Sequence, residues 1–236
     1  MQADQDLAII LLAAGQGVRL GGQRKLDLRI NGVRYLDHIV TLLSRFSPHI
    51  VVAISNSDLE ILTDEQRALH CTYVVGGETR QASFEQAMAA IPRDVQTVLL
   101  HEVARPLVSE ELISRILAAV KDHDVVVSTV SIPVRDSVAL QAEQEIGEIL
   151  PRDKLVLLQT PQAFKLPVLQ AMMHKAREQG WVENSHVALA KKAGVNVFPV
   201  PGELSNIKVT YPEDIETVNR IASERLNNER KLHGGQ

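Results

Sequence analysis

The sequence predicts an α/β fold: a mostly parallel sheet covered by helices on both faces, with a protruding β-arm. Two observations carry this expectation. Short β-branched or leucine-rich runs alternate with stretches whose apolar residues fall at helical spacing. The core must also be aliphatic, because aromatics make up 3% of the 236 residues against an apolar fraction of 45%. Continuous Ile, Leu and Val runs suit parallel strands buried on two sides.

Taken in order, strands are expected at Leu7–Leu12, 50–54, Thr72–Val75, 95–100 and 125–132, with crossover helices at 35–46, 58–69, 79–91 and 109–120. Ser109 ahead of Glu110 and Glu111 has the character of an N-cap entering an acidic first turn. The rhythm breaks at 133–154, a polar, acidic stretch bracketed by Pro133 and Pro151, which predicts an excursion from the sheet as a hairpin arm. A strand at 156–159, helices near 166–178 and 185–193, a strand at 196–200 and a last helix from Pro212 to about Asn227 restore the pattern. Without internal repeats or low-complexity linkers, one domain is expected over 1–227, followed by a frayed polar tail at 228–236.

Composition also excludes function classes. A net charge of −4 with mixed signs gives no broad basic face, so neither nucleic acid nor an anionic membrane is an expected partner. Cys71 is the only cysteine, which rules out an intrachain disulfide and a multi-thiolate zinc site and fits a reducing cytoplasm. The apolar opening stretch 7–14 is too short to cross a bilayer and has no basic segment before it, so it is read as a buried strand.

Chemistry is expected in the loops that follow strands, because ligands of open α/β sheets bind at the carboxyl ends of the strands. The first such loop, 12–25, holds four glycines, two arginines and a lysine. Glycine lets backbone amides approach phosphate oxygens, and Arg19, Arg24 and Lys25 can add charge-assisted bonds. For an isolated stretch of this kind the plainer alternative is a glycine-rich turn with solvated cations. The loop matches neither G-x-x-x-x-G-K-[ST] nor the dinucleotide fingerprint, which needs a third glycine where Leu20 stands.

The loop 101–106 supplies His101, Glu102 and Arg105. Glu102 is a candidate to hold Mg²⁺ on a triphosphate and Arg105 to bind a phosphate, while a mutual ion pair is the plainer alternative. In the segment 76–83, Gly76, Gly77 and Ser83 either read a base edge or form a simple turn. Lys208 sits near a strand end and either points into the same crevice as Lys25 or is a solvated charge.

Six ordered segments together resemble the 2-C-methyl-D-erythritol 4-phosphate cytidylyltransferase family, with ribitol-5-phosphate cytidylyltransferases as close kin. They are L-A-A-G-x-G-x-R at 12–19 with Lys25, G-G-x-x-R-x-x-S at 76–83, [HD]-D-A-A-R-P at 101–106, P-V-x-D-[ST] at 133–137, Q-T-P-Q-x-F at 159–164 and N-x-K-[VI]-T at 206–210. The sequence departs from the family pattern at Glu102, which replaces Asp, at Arg24 and Leu26 around the lysine, and at 183–187, where an aspartate is lost. These departures bear on the acceptor more than on the reaction type.

The resemblance implies a single Rossmann-like nucleotidyltransferase domain that transfers CMP from CTP to a small phosphorylated polyol with Mg²⁺ and no organic cofactor. The best match to that description is 2-C-methyl-D-erythritol 4-phosphate, an isoprenoid precursor. Ribitol 5-phosphate, another phosphate or phosphonate acceptor, or a non-catalytic nucleotide-binding relative are the alternatives. The resemblance also implies that Arg19, Lys25 and Lys208 face the triphosphate, that Ala13, Ala14, Gly15 and Gly17 belong to the nucleotide loop, and that Gly76, Gly77 and Ser83 lie near the cytosine. Glu102, Arg105, Arg152 and Thr160 would serve the acceptor. The arm would reach across a homodimer, so that Ser137 and Arg152 complete the partner's site. His101 and His186 are expected to be structural or polar substrate contacts.

Overall fold

In the computed structural model, which describes residues 3–15, 17–20, 23–24 and 26–233, β1 (Leu7–Leu12) is buried along its whole length. Alternate side chains feed two separate cores. Leu7, Ile9 and Leu11 point to one, and Ala8, Ile10 and Leu12 to the other, as the period of two requires. The strand is therefore central, and everything that follows wraps it.

The glycine-rich loop after β1 contains a 3₁₀ turn at Val18–Leu20 and leads to a small hairpin, β2 (Arg29–Ile30) and β3 (Val33–Arg34), before α1 (Tyr35–Leu43). Next come β4 (His49–Ile54), α2 (Asn56–Glu60), α3 (Asp64–Arg67) and β5 (Thr72–Val75). The single helix expected at 58–69 is two short ones. Thr63 accepts from the Gln66 amide at 3.3 Å while the Gln66 side chain accepts from the Thr63 amide at 3.1 Å, and this capping box restarts the helix. Beyond β5 the chain forms α4 (Arg80–Met88), β6 (Thr97–Glu102), α5 (Glu110–Ala119) and β7 (Val125–Ser131).

The excursion after β7 is a hairpin, β8 (Val138–Ala142) paired antiparallel with β9 (Glu145–Leu150), closed by a 3₁₀ turn at Arg152–Lys154. It returns as β10 (Val156–Lys165), followed by α6 (Leu166–Glu178), α7 (His186–Ala193), β11 (Phe198–Pro201) and α8 (Pro212–His233).

Among the described residues the main sheet has seven strands in the order β11-β7-β10-β6-β1-β4-β5. All its pairings are parallel except those of β10, which runs antiparallel to both β6 and β7. The arm explains the reversal: a hairpin excursion brings the chain back toward its starting point, so the returning strand lies antiparallel to β7. The strand is also longer than the expected 156–159. Pro161 would ordinarily end a strand, but it falls where the ladder to β7 shifts register between Leu158 and Gln162.

Helices α1, α5 and α8 cover one face of the sheet and α4, α6 and α7 the other. The helix α8 continues to His233, past the boundary expected near Asn227, because neither glycine nor proline interrupts 213–233. At the sheet edge, the Gly202 amide donates to the Thr129 carbonyl at 2.7 Å. The alternation of strand amides then turns Pro199 and Pro201 outward. No described helix is long and apolar enough to cross a membrane.

Candidate active site

The chain goes from β1 to β4 and β5 on one side and returns to β6 on the other, so the strand order reverses at β1. Loops leaving neighbouring strands diverge at such a point and open a crevice. Here it measures about 590 Å³ and is lined by the segment 12–15, Ser55 and Asn56 after β4, the segment 75–80, Ser83, the segment 102–104, and Lys208.

Glycine is required at the junction between two of these loops. A Cβ at Gly76 would stand 2.7 Å from the Ala14 Cβ and 2.8 Å from the Ser83 Oγ, and one at Gly77 2.5 Å from the Ala82 Cβ. The β5 loop therefore packs directly on the first loop. Thr79 caps α4 by accepting from the Ala82 amide at 3.0 Å, which projects Arg80 from the first turn. The Ser83 Oγ turns back to the Thr79 carbonyl at 2.9 Å and the Gly77 carbonyl at 3.1 Å.

A cluster of cations surrounds Glu102 at the end of β6. Lys208 Nζ lies 3.0 Å from one carboxylate oxygen and 2.9 Å from the other, Arg80 Nε 3.0 Å from the first, and Arg105 Nε 3.8 Å from the second. Burial alone would raise this carboxyl, but Lys208, then Arg80 and Arg105, outweigh it and hold the group down at about 2. Arg105 is pulled below its usual value by the same burial, against the opposing pull of Glu102. One carboxylate among three cations leaves an excess of positive charge, which suits a bound polyphosphate.

For Glu102 the ion-pair alternative is the one seen: both carboxylate oxygens face side-chain cations, and the described residues contain no group of three or more His, Cys, Asp or Glu placed to hold a metal ion. The donor set here does not fit a protein-held Mg²⁺.

Behind the crevice, Arg105 NH1 donates to the Asn206 carbonyl at 2.7 Å, and Asn206 Nδ2 donates to the Thr160 carbonyl at 2.7 Å. The amide of Val209 donates to the Ala104 carbonyl at 2.7 Å, which fixes Lys208 against the β6 loop. His101 Nε2 lies 3.1 Å from the Arg105 carbonyl, and burial pushes the ring down to about 4, so it is neutral and donates there.

The structure thus brings Ala13, Ala14, Gly15, Gly76, Gly77, Ser83, Glu102 and Lys208 into one crevice. Arg105 and Thr160 stand just behind it, Thr160 3% exposed. Gly17 shapes the loop at φ +63 without lining the crevice. Arg19 lies over the Tyr211 ring, 5.6 Å from its centroid. Ser137 and Arg152 belong to the arm, where Arg152 NH1 donates to the Val134 carbonyl at 2.8 Å, and neither lines the crevice of this chain. Lys25 lies outside the described residues. Arg80 lines the crevice although no role was assigned to it from sequence; its signal was the arginine of the G-G-x-x-R-x-x-S segment.

The fold and the crevice are those of a nucleotidyltransferase. A solved structure of the 2-C-methyl-D-erythritol 4-phosphate cytidylyltransferase of Thermus thermophilus matches with a TM-score of 0.78 at 27% identity, covering 94% of this chain and 100% of that one. The 4-diphosphocytidyl-2C-methyl-D-erythritol synthase of Anaerococcus prevotii matches with a TM-score of 0.81 at 26% identity, covering 93% and 99%. In sequence, the 2-C-methyl-D-erythritol 4-phosphate cytidylyltransferase of Salinibacter ruber is 32% identical over 214 residues, spanning 88% of this chain and 89% of the relative. The family model described as IspD, 2-C-methyl-D-erythritol 4-phosphate cytidylyltransferase, matches residues 7–224. The chain belongs to the 2-C-methyl-D-erythritol 4-phosphate cytidylyltransferase family.

Proposed function

We propose that this protein transfers CMP from CTP to 2-C-methyl-D-erythritol 4-phosphate, forming 4-diphosphocytidyl-2-C-methyl-D-erythritol and pyrophosphate. The observation that carries this reading is the crevice at the strand-order reversal, where a glycine loop faces a cation cluster built on Glu102. A phosphate monoester has its second pKa near ~6 and is largely dianionic at neutral pH, so the acceptor oxygen attacks the α-phosphorus without a general base. As that bond forms, the bond to the pyrophosphate oxygen breaks and the electron pair leaves with pyrophosphate.

What the protein supplies is relief of repulsion and alignment. Lys208 takes the α-phosphate, exchanging part of its pairing with Glu102 for the nucleotide. Arg19 and Lys25 take the β- and γ-phosphates, and the backbone of Ala13, Ala14 and Gly15 cradles the chain of phosphates, with Gly17 setting the turn of that loop. Gly76, Gly77 and Ser83 receive the cytosine, with Arg105 and Thr160 on the acceptor side. Glu102 serves as the anchor of the cations; a divalent cation would have to arrive with the nucleotide, where it would add positive charge against the polyphosphate.

A homodimer through the arm belongs to the same reading, with Ser137 and Arg152 completing the partner's site. Supporting it, the arm and its root expose apolar side chains, Leu140 at 52%, Ile146 at 73%, Ile149 at 59% and Leu157 at 45%, an apolar surface of the kind that marks an interface.

Lys25→Ala and Lys208→Ala are each expected to lower kcat for pyrophosphate release by about two orders of magnitude with the fold intact, the scale of one lost electrostatic donor. Near-full release by either purified variant would defeat that assignment. A panel of acceptors with CTP and Mg²⁺, including ribitol 5-phosphate, tests the acceptor directly; turnover faster on another member of the panel would displace 2-C-methyl-D-erythritol 4-phosphate.

A further inference from the structure

Arg80 is held on two sides. Its Nε donates to Glu102 at 3.0 Å, and its NH1 lies 2.7 Å from Nδ1 of His186, a residue 106 positions further along the chain. A guanidinium has donors only, so His186 Nδ1 must be the acceptor and the imidazole must be neutral, with its proton on Nε2.

The surroundings keep the ring in that state. His186 is 2% exposed, with its ring centroid 4.1 Å from that of Phe84 and 6.3 Å from that of Phe164. It opens α7, where the positive end of the helix disfavours an imidazolium. Burial, and then the charge of Arg80, push it down to about 3. A protonated or acidic side chain in this place would change the charge of the cluster; a neutral acceptor orients Arg80 and leaves that charge alone.

Orientation of Arg80 matters because of what it shares. The same Glu102 oxygen that accepts from Arg80 Nε accepts from Lys208 Nζ. An Arg80 without its second anchor would be free to turn its fork toward the crevice it lines, and Glu102 would lose one of the donors that define its rotamer. We propose that His186 is a positioning residue for nucleotidyl transfer: it orients Arg80, Arg80 orients Glu102, and Glu102 places the Lys208 ammonium. This rests on the reading of Lys208 as the α-phosphate ligand.

The test is a set of variants assayed for pyrophosphate release with CTP, Mg²⁺ and 2-C-methyl-D-erythritol 4-phosphate: His186→Leu, His186→Asn, Lys208→Ala, and His186→Leu combined with Lys208→Ala. Asparagine carries a carbonyl oxygen close to the Nδ1 position, whereas leucine carries no acceptor. His186→Leu is expected to lower kcat about tenfold or more with KM for CTP changed by less than about threefold, the pattern of lost positioning. His186→Asn should stay within about threefold of the wild type, and adding His186→Leu to Lys208→Ala should cost less than about twofold further, because residues acting through one another are not additive.

An equal loss in both Lys208 backgrounds, or an asparagine variant as impaired as the leucine one, would overturn the proposal. If circular dichroism shows His186→Leu unfolded, His186→Gln replaces it in both backgrounds: its oxygen stands one bond further out, the same losses are expected, and the same results would overturn the proposal. Lys208→Ala with wild-type turnover would instead remove the Lys208 reading on which the inference stands, and it is read without reference to any His186 variant.

Discussion

Gly76 shows how little room there is where the first loop meets the β5 loop at the crevice. Alanine there would bring a Cβ within 2.7 Å of the Ala14 Cβ and 2.8 Å of the Ser83 Oγ, so one of the two loops must move. Overpacking of this kind costs roughly 1–3 kcal/mol, here at a loop junction and not in the core. Gly76→Ala is therefore expected to raise KM for CTP by about tenfold or more while lowering the melting temperature by only a few degrees; an unchanged KM would show that the two loops need not touch. Glycines and cations at strand ends were legible in sequence because position in an α/β fold already suggests their use. The bond from Arg80 to His186 was not, since nothing local in 183–187 points to residue 80 and only the packing of α7 against α4 brings them together. Of the two readings open for Glu102, metal ligand or ion pair, the structure shows the pairing, but with Lys208 and Arg80 as well as the neighbouring Arg105, which the local sequence does not indicate.

At the scale of elements, the strands announced themselves through β-branched and leucine runs, and Leu7–Leu12 and Thr72–Val75 agree with the sequence reading to the residue. What misled was chemistry with two outcomes. Pro161 ordinarily ends a strand yet sits at a register shift inside β10, and the 58–69 stretch has helical spacing throughout yet restarts at the Thr63 capping box. The arm was legible as an excursion because Pro133 and Pro151 bracket a polar stretch, but the antiparallel course of β10 follows from the return path, which no local pattern records. Its exposed apolar side chains carry a prediction at this scale. On the proposed homodimer through the arm, Ile146→Asp should shift the protein toward monomer in sedimentation velocity and lower turnover together with it; a wild type that sediments as a monomer, a fully dimeric variant, or a monomer with full activity would remove the arm from the catalytic unit.

For the whole molecule, acid should be the main solvent threat. Burial holds His101 down at about 4 and His186 at about 3, against 6.5 for an ordinary histidine. Between those limits the unfolded chain binds protons that the folded one refuses, so stability is full above pH 6.5 and declines as pH falls. Glu102, held at about 2 against 4.5, adds a loss of the same sign below pH 4.5. With both histidines contributing near pH 5, the slope should approach about 2–3 kcal/mol per pH unit. Urea titrations across pH 7 to 4.5 measure it, and a flat profile between pH 6 and 5 would mean that the two rings are not buried as neutral species.

The prolines of β11 have a consequence outside any single molecule. With Pro199 and Pro201 facing outward, that rim of the sheet lacks amide hydrogens at two of its outward positions, so a stray strand from a neighbouring chain finds too few donors to zip onto it. Crowding therefore cannot readily extend this sheet into a ribbon through that border, and encounters between copies are left to side-chain surfaces, where sequence can decide which ones last.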